Sequence, residues 1–155
     1  MTEEKLKDIV NNKDHNAASR LDESDFMEVF YELIYGNYSE MDINEMNDIQ
    51  RKIYLCSRLE DSVQADSLYS FIEDGLGYYL KETAETFRML GAVKTSDILD
   101  KVAEAVPENV LNGDEPDEKL WDKLMKYDSI IGDYPDGPLT KIYFKFAQEN
   151  VKEIF

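Results

Sequence analysis

Apolar residues recur every three or four positions along most of the chain, the spacing that places them on one face of an α-helix. The pattern is clearest over residues 62–106, whose apolar positions are Leu68, Phe71, Ile72, Leu80, Ala84, Phe87, Leu90, Ile98, Val102 and Val106. Gly75 and Gly77 interrupt this stretch, and Gly91 follows its second apolar run. Because glycine is costly inside a helix and favourable in turns and C-terminal caps, we predict three helices here.

Helix-start signals surround this central stretch. Asp25 with Glu28 and Asp42 with Glu45 have the spacing of a capping box. Thr95 or Ser96 is predicted to cap the third central helix, and the polar run at 11–16 is predicted to be a loop. The predicted buried positions of the flanking helices are Leu6, Ile9, Val10, Phe26, Phe30, Leu33, Ile34, Met46, Ile49, Ile53, Cys56, Leu120, Trp121, Leu124, Tyr127, Ile131, Leu139, Ile142, Tyr143, Phe146 and Ile154.

No segment alternates apolar and polar residues for the length of a strand, so the predicted fold class is all-α. We expect a compact single-domain bundle of about seven to eight helices over residues 1–155. Residues 1–20 would form an N-terminal helix and loop. At 155 residues, with 43% hydrophobic content, the chain is long and apolar enough to bury a core.

The composition is strongly acidic, with 34 Asp and Glu against 17 Lys and Arg and a net charge of −17. Such a charge repels nucleic acid and anionic membranes and favours basic partners. No apolar run is long enough to span a membrane, and no signal peptide is visible. A lone Cys56 cannot form an internal disulfide, which fits a reducing compartment. The predicted localisation is cytoplasmic.

Candidate chemistry is sparse. His15, the only histidine, is either a catalytic base or metal ligand or, as we favour, a solvated loop residue. Cys56 lies on an apolar face and is predicted to be a buried small hydrophobe rather than a nucleophile. The acidic loops at 112–118 and 132–137 lack EF-hand spacing and are interpreted as turns and helix starts. We therefore predict no catalytic residue, no metal site, no cofactor and no enzymatic activity.

The distribution of charge is more informative than its sum, because three stretches contain no Lys or Arg, one of which, between Arg58 and Lys81, contains five acidic residues. The first acidic zone consists of Asp22, Glu23, Asp25, Glu28, Glu32, Glu40, Asp42, Glu45 and Asp48. The second acidic zone consists of Glu104, Glu108, Asp114, Glu115, Asp117 and Glu118. Helical surfaces usually mix charge signs to form ion pairs along the helix. These zones are either a solvated surface that keeps the protein soluble or a continuous negative surface that binds a basic partner.

The central and C-terminal parts carry a further pattern. Its residues are Gln64, Ser67, Leu68, Phe71, Ile72, Gly77, Ala84, Arg88, Gly91, Ala92, Ile98, Leu99, Ala103, Leu124, Tyr127, Asp128 and the aromatic run at 142–146. Over about residues 54–155 this pattern resembles the acidic DNA-mimic-protein-like family, a helical bacterial domain of unknown function. That family typically has an Asn-Gly-Gly turn where this chain has Leu59 to Val63. The resemblance implies an all-helical fold and binding to a DNA-binding protein by imitation of the phosphate array.

The first functional hypothesis is a non-enzymatic binding module whose two acidic zones occupy the basic site of a nucleic-acid-binding protein. An immunity protein or antitoxin that neutralises a basic toxin would use the same electrostatics. An uncharacterised enzyme that uses carboxylates is the alternative from a different class. The expected partner is a basic protein, not nucleic acid or a membrane, and a homodimer is an open alternative for the assembly.

Overall fold

The structure, a computed structural model, describes all 155 residues and contains helices, turns and no strands. This confirms the all-α prediction. The α-helices are α1 (Glu3–Asn11), α2 (His15–Ser19), α3 (Glu23–Tyr31), α4 (Asp48–Ala65), α5 (Leu68–Phe71), α6 (Leu80–Met89), α7 (Val93–Ala105), α8 (Glu108–Leu111), α9 (Glu118–Gly132), α10 (Leu139–Glu149) and α11 (Val151–Ile154).

The helices outnumber the seven to eight that we expected, because several are single turns. α5, α8 and α11 each span four residues. π-helical turns follow α3 at Glu32–Asn37 and α5 at Ile72–Leu76. Short 3₁₀ turns lie at Tyr38–Glu40, Ile43–Glu45 and Gly77–Tyr79. None of the helices combines the length and the apolar character that a membrane span requires.

The contacts group the chain into two compact units. One contains residues Met1–Tyr54 and Thr140–Phe155, and the other contains Leu55–Leu139. We call them the terminal unit and the central unit. The expectation of a single domain stays a prediction.

The terminal unit is built on an aromatic core. Phe30 is fully buried, with its ring centroid 4.7 Å from that of Phe144 and 5.6 Å from that of Tyr143. The buried hydroxyl of Tyr38 donates a hydrogen bond to the carbonyl oxygen of Ile154. Desolvation raises the pKa of Tyr38. This unit also buries Ile9, Val10, Ala18, Phe26, Val29, Leu33, Ile34, Met46, Ile53, Ala147 and Val151.

The central unit is dominated by the packing of α6 on α7. Gly91 connects these helices with φ +93°, a left-handed conformation that only glycine adopts without strain. Gly77 permits a close approach, because a Cβ atom there would lie 2.6 Å from Cδ2 of Leu111. The residues buried in this unit are Leu55, Cys56, Leu59, Val63, Leu68, Phe71, Ile72, Leu76, Leu80, Ala84, Phe87, Ala92, Leu99, Val102, Val106, Val110, Leu120, Leu124, Ile131 and Leu139.

The predicted caps before α3 and α4 were wrong by a few residues. The N-cap of α3 is Asp22, whose carboxylate accepts the backbone N–H of Asp25. Asp42 caps only the 3₁₀ turn that precedes α4. The start of α4 is closed by a reciprocal pair, in which each side chain of Asn47 and Gln50 accepts the backbone N–H of the other. The sequence correctly predicts a capping side chain near each helix start. The residues that cap are Asp22 for α3 and Asn47 for α4, which lie closer to the actual first turns.

The start of α7 departs further from the prediction. Thr95 and Ser96 are buried inside the helix, which begins at Val93. Its free N–H groups are satisfied by Asp136, whose Oδ2 accepts the N–H of Thr95 at 2.7 Å and whose Oδ1 accepts that of Lys94 at 3.3 Å. A cap supplied 41 residues away in sequence leaves no local signal.

Several predicted placements were also wrong. The predicted core positions that are only half-buried include Leu6, Ile49, Leu90, Tyr127, Ile142 and Phe146. Ile98 is only half-buried, and its neighbour Leu99 fills the core instead. Trp121 is 39% exposed rather than buried. His15 begins α2 and stacks on Phe155, with ring centroids 5.4 Å apart, rather than lying in a solvated loop.

Candidate protein-binding surface

The first acidic zone lies in the terminal unit, on α3, the turns that follow it and the start of α4. All of its carboxylates are exposed except that of Asp25, which is half-buried. The apolar residues between them, such as Phe26, Val29 and Leu33, point into the core because of the helical spacing. Burial of one face therefore leaves the acidic residues on the solvent side.

Several of these carboxylates already have partners. Asp22 and Asp42 serve as N-caps. Asp25 lies 3.2 Å and Glu28 lies 3.7 Å from the amino nitrogen of Met1. Asp48 forms an ion pair with Lys52 one turn along α4. Capping and pairing reduce the negative potential that these five groups offer to a partner.

Four exposed glutamates of this zone take no part in those caps and ion pairs. They are Glu23, Glu32, Glu40 and Glu45. They are the strongest candidates in the first acidic zone for contact with a basic protein.

The second acidic zone lies in the central unit, from the last turn of α7 through α8 to the first turn of α9. All six of its carboxylates are exposed. Asp117 caps α9 by accepting the N–H of Leu120 at 2.8 Å, and Asp114 accepts a side-chain N–H of Asn109 at 3.2 Å. The remaining four project from helix ends and the intervening loop.

Aromatic side chains adjoin the second acidic zone. The ring centroids of Tyr69 and Trp121 lie 5.2 Å apart in an edge-to-face arrangement. They line a groove of about 380 Å³ together with Glu73, Gly113, Glu115 and Pro116. The sequence does not predict this groove, because Trp121 lies beside the apolar positions Leu120 and Leu124 and shares their predicted buried face.

Other sequence candidates have structural roles. Cys56 is fully buried, as predicted. Of the two acidic loops, the first supplies Asp117, which caps α9 and agrees with the helix-start interpretation. In the second, Asp136 lies in a turn, as predicted, and caps the distant helix α7. No three side chains of His, Cys, Asp or Glu converge to hold a metal ion.

The residues of the family-like pattern connect elements of the central unit. Asp128 accepts the N–H of Leu68 at the start of α5 at 2.7 Å, and the amide of Gln64 donates to the carbonyl oxygen of Gly132 at 3.3 Å. Arg88 forms ion pairs with Asp97 and Asp100 across α6 and α7. Residues 59–63, where the family has a turn, lie within the continuous helix α4.

Taken together, the helices and exposed carboxylates define an all-α acidic protein with two exposed stretches of sequence that contain no Lys or Arg. The family model of DMP19-like proteins matches residues 44–148, more than half of the chain. The chain therefore belongs to the DMP19-like protein family, a family of DNA mimics. No curated protein and no solved structure matches it.

Proposed function

We propose that the protein is a non-enzymatic DNA mimic that binds the basic nucleic-acid site of a DNA-binding protein. Membership of the DMP19-like family is the observation that carries the proposal. The exposure of the acidic zones supports it, because a mimic needs carboxylates that a partner can reach. The mimic would act in the cytoplasm, where DNA-binding proteins are found.

The electrostatic basis is the imitation of a phosphate array. Duplex DNA carries one negative charge per about 1.7 Å of axis, and proteins bind it largely by neutralising that array with Lys and Arg. A protein surface can imitate this phosphate array by presenting many carboxylates without intervening cationic side chains. In the first acidic zone this role would fall to Glu23, Glu32, Glu40 and Glu45, and in the second to Glu104, Glu108, Glu115 and Glu118. A single surface formed by both zones remains a prediction.

Charge reversal tests the role of the first acidic zone. The variant with Glu23, Glu32, Glu40 and Glu45 changed to Lys should bind the partner about 100-fold more weakly. The attraction that steers the two proteins together is lost, and the new lysines repel the basic partner. The partner is the basic protein that the wild-type chain captures from its native host. Affinity is measured by titration calorimetry at two salt concentrations.

The matched control changes Glu4, Asp8, Glu149 and Glu153 to Lys. These four acids are also exposed and also lie in the terminal unit, but lysines stand close to them in sequence. The control variant has the same net charge as the test variant and should lose far less affinity. Equal losses in the two variants would show that total charge, rather than the first acidic zone, governs binding.

A further inference from the structure

The groove beside the second acidic zone has the composition of a receptor for a cation. Two of its lining residues are aromatic, Tyr69 and Trp121, and two are exposed acids, Glu73 and Glu115. No Lys or Arg lines it. Aromatic faces attract cations, and carboxylates pair with them, so both components of the lining favour the same kind of occupant.

The walls of the groove are held in place by specific contacts. Tyr69 and Trp121 meet edge to face, and the cap of α9 by Asp117 fixes the helix that carries Trp121. The hydroxyl of Tyr78 donates to the side chain of Asn112, next to Gly113 with φ +113°. These contacts form the groove before any ligand arrives, which reduces the ordering cost of binding.

The two acids act on the interior of the groove. The pKa of the Tyr69 hydroxyl is raised, first by desolvation and then by the negative charges of Glu73 and Glu115. Both carboxylates therefore lie close enough to influence the same aromatic residue.

We infer that this groove binds an arginine side chain of the basic protein partner, with the guanidinium stacked on Trp121 and paired with Glu73 and Glu115. The inference rests on the proposed function, which supplies a basic protein as the partner. Arginine fits better than lysine because its planar guanidinium stacks on aromatic rings while its N–H groups reach two carboxylates. The groove thereby adds a specific anchor to an otherwise diffuse electrostatic surface.

Trp121 is the only tryptophan in the chain, so its fluorescence reports on this groove alone. The probes are three blocked tripeptides, Gly-X-Gly, in which X is arginine, lysine or citrulline, titrated at constant ionic strength. The arginine peptide should change Trp121 emission saturably, and the lysine peptide should bind more weakly. Citrulline keeps the shape of arginine but lacks its charge and should have no effect.

The Glu73→Gln/Glu115→Gln variant should bind the arginine peptide about three- to tenfold more weakly, as expected for two exposed ion pairs. The Glu85→Gln/Asp133→Asn variant loses the same charge from exposed positions of the same unit, outside the groove and outside both acidic zones, and should bind as the wild type does. Far-UV circular dichroism checks that both variants fold. Equal binding of citrulline, equal losses in both variants, or no saturable response would overturn the inference. A change in Trp121 emission that depends only on protein concentration would indicate that a second copy of the chain occupies the groove. That result would also overturn the inference.

Titration with the recovered partner separates this inference from the proposed function. If the partner binds in a salt-dependent way while Trp121 emission and the Glu73→Gln/Glu115→Gln affinity stay unchanged, the groove assignment fails and the mimic stands. If the arginine peptide binds as expected but the partner and DNA bind one another in the presence of the chain, the groove stands and the mimic fails.

Discussion

The two acidic zones expose their carboxylates in similar proportion but are held by different forces. The first acidic zone lies on helices whose inner face is aromatic, with Phe30 against Tyr143 and Phe144. The second acidic zone spans the end of α7, α8 and the start of α9, where the buried side chains are aliphatic, such as Val102 and Val110, and where Asp117 caps α9. Burial of large apolar groups stabilises more strongly than a single cap.

The zones also differ in what they offer a partner. In the first acidic zone, caps and ion pairs occupy five of the carboxylates, so the sequence count overstates the charge that is free to act. In the second acidic zone, an aromatic groove accompanies the charge. Under the proposed function, the first acidic zone would contribute long-range attraction and the second acidic zone would add a local contact at the groove.

The largest expected effect concerns the aromatic support of the first acidic zone. Phe30→Ala should lower the free energy of unfolding by about 3–5 kcal/mol, because it removes a fully buried ring and leaves a cavity. Urea unfolding followed by circular dichroism measures the loss. Tyr35→Ala is the control, since Tyr35 is 52% exposed, and it should cost less than about 1 kcal/mol. Similar losses for both would mean that the aromatic core does not support this zone.

A smaller effect is expected from the polar support of α7, the helix that carries Glu104. Asp136→Ala should lower the free energy of unfolding by about 1–2 kcal/mol, since it leaves the first N–H groups of α7 without their carboxylate. Asp133→Ala, in the same loop and exposed, should change it by less than about 0.5 kcal/mol. A loss at Asp136 larger than that at Phe30 would reverse the comparison between the zones.

The smallest and most specific expected effect is the pH dependence of the stability that Asp136→Ala loses. Desolvation acts to raise the pKa of Asp136, but the hydrogen bonds from Thr95 and Lys94 outweigh it and lower the pKa below 3.8. A carboxylate with a lowered folded-state pKa contributes its stability above the unfolded value and loses it as the pH falls through the folded value. The difference between wild type and Asp136→Ala should therefore be full at neutral pH and shrink below pH 3.8. A difference that grows in acid would contradict the assigned hydrogen bonds.

The sequence was sufficient for the fold class and most of the core, because helical periodicity directly encodes which face is buried. Leu68, Phe71, Phe87 and Tyr143 were all placed correctly on that basis. Local caps were placed within a few residues, as at Asp22. The cap of α7 by Asp136 could not be predicted, since it depends on tertiary proximity rather than on spacing along the chain.

The candidate surface was only partly predictable. In amphipathic helices the charged face is exposed, so charge and helical periodicity together predict that both acidic zones lie at the surface. The groove could not, because Tyr69, Glu73, Glu115 and Trp121 come from separate segments that folding brings together. Trp121 was misplaced because one position along a helix rotates a side chain by about 100°, enough to move it from the core to its edge.

Competition with DNA tests the proposed mimicry most directly. The recovered partner is bound to a fluorescently labelled DNA duplex, and displacement by the chain is followed by anisotropy over a series of salt concentrations. We predict complete displacement, and a binding constant of the chain for the partner whose logarithm falls linearly with the logarithm of salt concentration, as it does for DNA. A ternary complex of partner, DNA and chain, or an affinity that is indifferent to salt, would contradict the assignment of the acidic zones as a DNA mimic.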